Sequence, residues 1–228
     1  ANRYWVGGTG TWNDTNTTNW STASGGSGGA SVPTTADSVF FDSASNASNY
    51  TVTLAPTFVG TASASTITSM TTVVTVVTVT SGTLAVGDIV SIGSNGVIAK
   101  ITSFGTGAGG TGTYNCNVLY GQNGTGYGTV ACYGSKQACA DISMSGPATG
   151  TLSWSGIYYQ GCLVEIAGSI TVSATGVGSP SWGVIATGAS THTITSNGSS
   201  MSTTAFYLAG AGTYSLGSAL TSGYFYPS

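Results

Sequence analysis

Leu152-Ser153-Trp154, Ile170-Thr171-Val172, His192-Thr193-Ile194 and Tyr214-Ser215-Leu216 decide the fold. Each alternates apolar and polar residues, the period of a half-buried strand. Val172, Ile194 and Leu216 follow one another at a spacing of 22 residues, and Trp154 precedes Val172 by 18. Between the strands lie Ala174-Thr175-Gly176, Ser196-Asn197-Gly198 and Ala209-Gly210-Ala211-Gly212, all turn-forming words. A strand, a turn and a return to register every twenty or so residues predicts solenoid coils, each too small to bury its apolar face alone. The expected class is therefore all-β: a β-solenoid or β-helix-like stack of short coils.

Composition supports that class. Of 228 residues only 4% are charged, against about 25% in an ordinary soluble domain. Glycine contributes 36 residues and tyrosine 12, and the chain is rich in Thr and Val, which favour strands and supply helices poorly. Hydrophobic residues make up 40%, enough for a core, so the Gly and Ser content does not imply disorder. A nearly uncharged surface is poorly protected against association, which suits a protein packed into an assembly.

Arg3, Lys100 and Lys136 are the only cations, and the formal net charge is −3. Nucleic-acid binding needs clustered Lys and Arg and is excluded on that ground. The longest apolar run, Thr71 to Thr80, is short and Thr-interrupted, so no membrane insertion is expected. No basic-plus-apolar leader follows Ala1; either export by that route does not occur or a leader has been removed.

In chain order, Arg3 to Trp20 holds Trp5, Trp12 and Trp20 among Gly and Asx turns, and Val32 to Asp42 leads a turn into an apolar strand. Residues 1–45 are read as a Trp-rich N-terminal cap of the kind a solenoid requires. The alternative is a ligand platform built from the three tryptophans. Residues 46–66 give a first β coil around Tyr50-Thr51-Val52-Thr53-Leu54. Residues 67–134, opening on a long β-branched run, are read as an inserted small β module, and residues 135–228 as resumed coils. The last stretch, Tyr214 to Tyr226, is apolar and carries no evident cap, so it is expected to be covered by another subunit or by further chain.

Tyr4-Trp5-Val6-Gly7-Gly8-Thr9-Gly10-Thr11-Trp12, then Asn19-Trp20-Ser21 and Val32-Pro33-Thr34-Thr35-Ala36-Asp37-Ser38-Val39-Phe40-Phe41-Asp42, resembles the opening of a group of tailed-bacteriophage structural proteins. Two words of the inserted module, Thr80 to Asp88 and Phe104 to Tyr114, resemble a module recurrent in phage tail and virion proteins, and the stretches 194–198 and 210–223 resemble those proteins' coil repeats. A looser Trp-x-Gly-Gly-x-Gly-x-Trp pattern is similar to passenger repeats of bacterial autotransporter adhesins. The resemblance implies a virion component (tail fibre, spike or capsid decoration) that contacts other virion proteins and itself, as a homo-oligomer of trimeric type, and that reaches a host-surface glycan. The adhesin likeness implies instead an extracellular or cell-surface fibre.

No catalytic, cofactor-binding or metal residue is assigned, the expectation is a non-enzymatic protein without cofactors, and binding residues are left unknown. Glycan cleavage by a spike needs two carboxylates about 5–10 Å apart. Asp37 with Asp42, and Asp141 with Glu165, are the pairs on offer; turn capping accounts for the first, and nothing in the sequence specifies the second. His192 has no evident acid or nucleophile partner. The Gly105–Gly112 loop lacks the following helix and Lys-Ser/Thr pair of a phosphate cradle and is read as a turn. Cys116, Cys132, Cys139 and Cys162 include no Cys-x-x-Cys, so zinc is not expected. Three pairings stay open; buried thiols are the reading adopted, and oxidising surroundings would favour one bridge, Cys132–Cys139. Seven Asn-x-Ser/Thr words, at Asn13, Asn16, Asn19, Asn46, Asn49, Asn123 and Asn197, are attributed to composition.

Overall fold

The computed structural model describes residues 1–68, 71–93, 97–121, 124–125 and 128–226. They contain strands, turns and one 3-10 turn, Tyr158–Gln160, with no α-helix among them. The chain divides into two compact units. The first comprises Ala1–Leu54, Gln137–Gly156 and residues 164–226; the second comprises Ala55–Lys136 and Ile157–Leu163.

The first unit holds three sheets. One is built from β1 (Asn2–Trp5), β3 (Trp20–Ser21), β4 (Ser38–Phe41), β14 (Ile142–Met144), β17 (Ile170–Val172), β19 (His192–Thr195) and β21 (Tyr214–Leu216), in the order β21-β19-β17-β14-β4-β1-β3. Every pair in it is parallel except β1 with β3. A second sheet runs β13 (Ala138–Cys139), β16 (Leu163–Ile166), β18 (Gly183–Ala186), β20 (Ser200–Leu208), β22 (Thr221–Tyr226), and a third runs β15 (Leu152–Ser155), β5 (Tyr50–Leu54), β2 (Gly10–Trp12). Parallel partners need crossover connections. Here each crossover passes through the other sheets: from β14 the chain visits β15, then β16, then β17.

Alternation sets which side chains face inward. Val39, Phe41, Ile142, Met144, Ile170, Val172 and Ile194 are all buried, while Thr171 between two of them is exposed. The observed register separates two steps that the sequence spacing makes equal. Ile194 pairs with Leu216, 22 residues on, but its other partner is Ile170 and not Val172. A slip of two residues keeps the same face inward, so both Ile170 and Val172 are buried and spacing alone cannot choose between them. Trp154 belongs to a different sheet, opposite Val52.

The second unit is a closed barrel. β6 (Phe58–Thr68), β12 (Val130–Ser135), β8 (Ile89–Ile92), β9 (Val97–Phe104), β10 (Gly112–Tyr120) and β7 (Thr71–Gly82) pair in that order, and β7 pairs back onto β6; the short β11 (Gly124–Thr125) lies on the other side of β6. Every pairing is antiparallel. Closure removes the exposed edges that so uncharged a chain would otherwise present. Phe58, Ala62, Val74, Val76, Leu84, Val90, Ile92, Ile101 and Tyr114 fill the interior with their neighbours. Gly134 leaves them room, because a Cβ there would come within 2.7 Å of Leu84 Cδ2 and 3.0 Å of Phe58 Cβ. The unit begins at Ala55, twelve residues before the module boundary expected at 67, because β6 is eleven residues long and already belongs to the barrel.

Candidate functional site

The Trp-rich segment folds inward. Trp5, Trp12 and Trp20 are 0% exposed, so they offer no ring face to a ligand, and the platform alternative fails on burial. Their edges pack on one another at 5.1 and 5.2 Å between centroids, and Phe41 lies 5.7–6.0 Å from all three. Phe41 also meets Trp154 at 5.0 Å, and Trp154 meets Trp182 at 5.3 Å. The rings form one aromatic column through the first unit. Trp5 Nε1 donates to Gly8 O at 2.7 Å, whereas the indole N–H groups of Trp20, Trp154 and Trp182 have no hydrogen-bond partner among the described residues.

The carboxylates serve turns and inter-strand ties. Asp37 accepts from Thr34 N at 3.0 Å and Thr34 Oγ1 at 2.9 Å and lies 3.7 Å from Arg3 Nη1. Burial pulls its pKa upward, but the Thr34 hydrogen bonds and the nearby positive charges outweigh that and hold it below 3.8. Asp42 Oδ1 accepts from Ala44 N at 2.9 Å. Asp141 accepts from Ser169 N at 2.8 Å and from Ser38 Oγ at 3.1 Å, joining three consecutive strand layers. Glu165 accepts from Thr187 Oγ1 at 3.0 Å. In the barrel, Asp88 accepts from Ala85 N at 2.8 Å with Lys136 Nζ at 3.9 Å. Among the described residues no group of three His, Cys, Asp or Glu is placed to hold a metal ion.

His192 does have a neighbour that the sequence reading missed. Ser190 Oγ lies 3.2 Å from His192 Nε2, and the Tyr214 ring packs at 5.5 Å, with the Tyr214 hydroxyl accepting from Gly188 N at 3.0 Å. A nucleophile beside a base is half of an acyl-transfer site; the orienting acid and a set of oxyanion donors complete one. The hydrogen bonds described for this cluster supply neither. An i,i+2 serine-histidine pair on a turn is too common a word to have drawn notice.

All four cysteines are buried thiols outside any disulfide. The Cys132–Cys139 bridge that oxidising surroundings would favour is not formed; Cys132 lies in the barrel core and Cys139 on β13, paired with β16. Burial pushes the Cys116 and Cys132 thiols up to about 12, with Cys116 adding to the effect on Cys132; Cys139 and Cys162 are raised as well, again chiefly by burial. Such thiols are inert at neutral pH.

The Gly105–Gly112 loop wraps a tyrosine. Tyr114 hydroxyl accepts from Gly109 N at 3.0 Å and donates to Gly110 O at 2.6 Å, and Leu84 N donates to Gly109 O at 2.9 Å. A Cβ on Gly107 would sit 2.6 Å from the Tyr114 ring, so glycine is what lets the loop lie on it. Of the Asn-x-Ser/Thr words, Asn13 serves a turn, its Oδ1 accepting from Asn16 N, whereas three others tie distant segments: Asn19 Nδ2 donates to Val6 O, Asn49 Oδ1 accepts from Thr151 N, and Asn197 Nδ2 donates to Val172 O. Asn123 lies outside the described residues.

The last strands of two sheets leave apolar residues exposed. Leu216 and Phe225 are 57% and 44% exposed on β21 and β22, the last strands of their sheets. Tyr207 stacks on Tyr226 at 4.9 Å and 11°, and Phe206 lies 6.2 Å from Phe225, so aromatic residues repeat in register from β20 to β22. No family model, curated protein or solved structure matches the chain.

Proposed function

We propose that the chain is a non-enzymatic structural component of a bacteriophage virion, a fibre, spike or surface decoration, whose first unit is a β-solenoid carrying the barrel as an insertion. The observation that carries the reading is the parallel ladder β4-β14-β17-β19, whose layers repeat the same buried face and which β21 continues in register. Such a ladder grows by stacking and supplies length and stiffness. The acids hold turns and strands together and the thiols are buried, which favours a scaffold over a catalyst. The phage reading itself rests on the sequence resemblance of the Trp-rich opening and of the barrel's Thr80–Asp88 and Phe104–Tyr114 words. On this reading the protein associates with itself and with other virion proteins and is assembled in the host cytoplasm.

Mass spectrometry of purified particles, joined to immunogold labelling, tests the proposal. The expected result is the protein in stoichiometric amount at a fixed position on the particle. Its absence from particles, with recovery from a bacterial cell surface, would overturn it in favour of an adhesin.

A further inference from the structure

Asn197 is the one non-glycine residue with positive φ among the described residues, at +48°, and it is followed by Gly198 at +86°. The pair forms the exposed tip of the turn between β19 and β20, closed by Ser199 N donating to Ser196 O at 2.9 Å. An Asn-Gly peptide is chemically unstable, because glycine has no Cβ to shield its amide nitrogen. That nitrogen attacks the Asn carboxamide carbon and loses its proton as the bond to the side-chain nitrogen breaks. Ammonia leaves and a succinimide remains. Water then opens either carbonyl, giving aspartate or isoaspartate. Around Gly198 the space is open: a Cβ there would meet nothing within 4 Å.

We propose that Asn197–Gly198 is a spontaneous deamidation site whose rate is set by opening of its turn. In the closed turn Asn197 Nδ2 donates to Val172 O at 2.8 Å, which directs the carboxamide across the ladder and not back onto its own following amide. The backbone is held too. Ser218 Oγ accepts from Ser196 N at 2.8 Å and Asn197 N at 3.0 Å, Ser196 Oγ donates to Ala219 O at 2.6 Å, and Ser199 Oγ donates to Ser173 O. The turn is stapled to the layer before it and to the layer after it, so attack must await release of these bonds. The product does not close again as before. A carboxylate at 197 cannot donate to Val172 O, and isoaspartate adds a backbone carbon inside a four-residue turn. A protein held for long in an assembly would accumulate the change as a record of its age.

The test incubates the folded protein at pH 8 and 37 °C beside the synthetic peptide Thr195–Ser200, with site-resolved peptide mapping and isoaspartate methyltransferase labelling. Mapping keeps Asn197 apart from Asn95-Gly96 and Asn123-Gly124. The folded protein should convert more slowly than the peptide by about tenfold or more, as opening-limited chemistry requires. Ser218→Ala, which removes the staple from the following layer, should bring the rate several-fold nearer the peptide's. Urea below the unfolding transition should accelerate wild-type conversion, a measurement that holds even if the variant folds poorly. A folded rate equal to the peptide's, or one indifferent to both urea and Ser218→Ala, would overturn the gating. No conversion at Asn197 even in the unfolded chain would overturn the site.

Discussion

Phe41→Ala tests the aromatic column at its centre. Phe41 is 1% exposed and touches Trp5, Trp12, Trp20 and Trp154, so its removal leaves a cavity walled by four indoles. Phe→Ala in a core costs about 3–5 kcal/mol, and rings this large cannot easily collapse into the gap, which places the loss in the upper part of that range. With a urea m-value of about 2 kcal/mol per molar for a unit of this size, the unfolding midpoint should fall by about 2 M. The assay is selective, because all five tryptophans lie in the first unit and their fluorescence reports its unfolding without the barrel's. Phe41→Leu, which keeps most of the volume, should cost about 1.5 kcal/mol or less. A midpoint shift below about 0.5 M for Phe41→Ala would mean that the column is not packed as described.

Other outcomes follow from the same geometry. Tyr114→Phe removes one acceptor and one donor from the glycine loop and should cost about 1–2 kcal/mol of barrel stability, with faster hydrogen exchange at Gly109; unchanged exchange there would show that the hydroxyl does not hold the loop. The Asp37 carboxyl titrates below its unfolded value, so the stability it contributes is complete above about pH 4 and is lost as pH falls through the folded-state value. Asp37→Asn should therefore flatten the fall in melting temperature measured from pH 5 to pH 3, and an undiminished fall would remove Asp37 as its source. The four buried thiols should resist a disulfide-exchange reagent at pH 8 in the native protein and all react in denaturant; rapid native labelling of any one would contradict its burial.

The all-β class was legible in composition and alternation, because Thr171 between Ile170 and Val172 already says which residues face inward. The Ile194–Leu216 step was legible as a spacing; the Ile170–Ile194 step was not, since a two-residue slip leaves the same pattern. Asp37 and Asp42 were readable as turn acids because their partners lie two or three residues away. Asp141 was not, because its contact with Ser38 spans 103 positions and only the fold creates it. The early start of the barrel was hidden by Gly60, which interrupts the β-branched signal of β6. It is glycine for a reason visible only in three dimensions: a Cβ there would lie 2.2 Å from Thr78 O. The Ser190–His192 contact escaped for the opposite reason, since the two residues are local but their word is unspecific.

The barrel receives and returns the chain at one place. Its first and last strands, β6 and β12, are neighbours, with Phe58 opposite Gly134. Entry and exit are thus about 5 Å apart, one strand spacing. A stretch whose ends meet closes its loop at little entropic cost. Joining the chain across the ends of Ala55–Lys136 would therefore need little loop closure, although the second unit also takes in Ile157–Leu163.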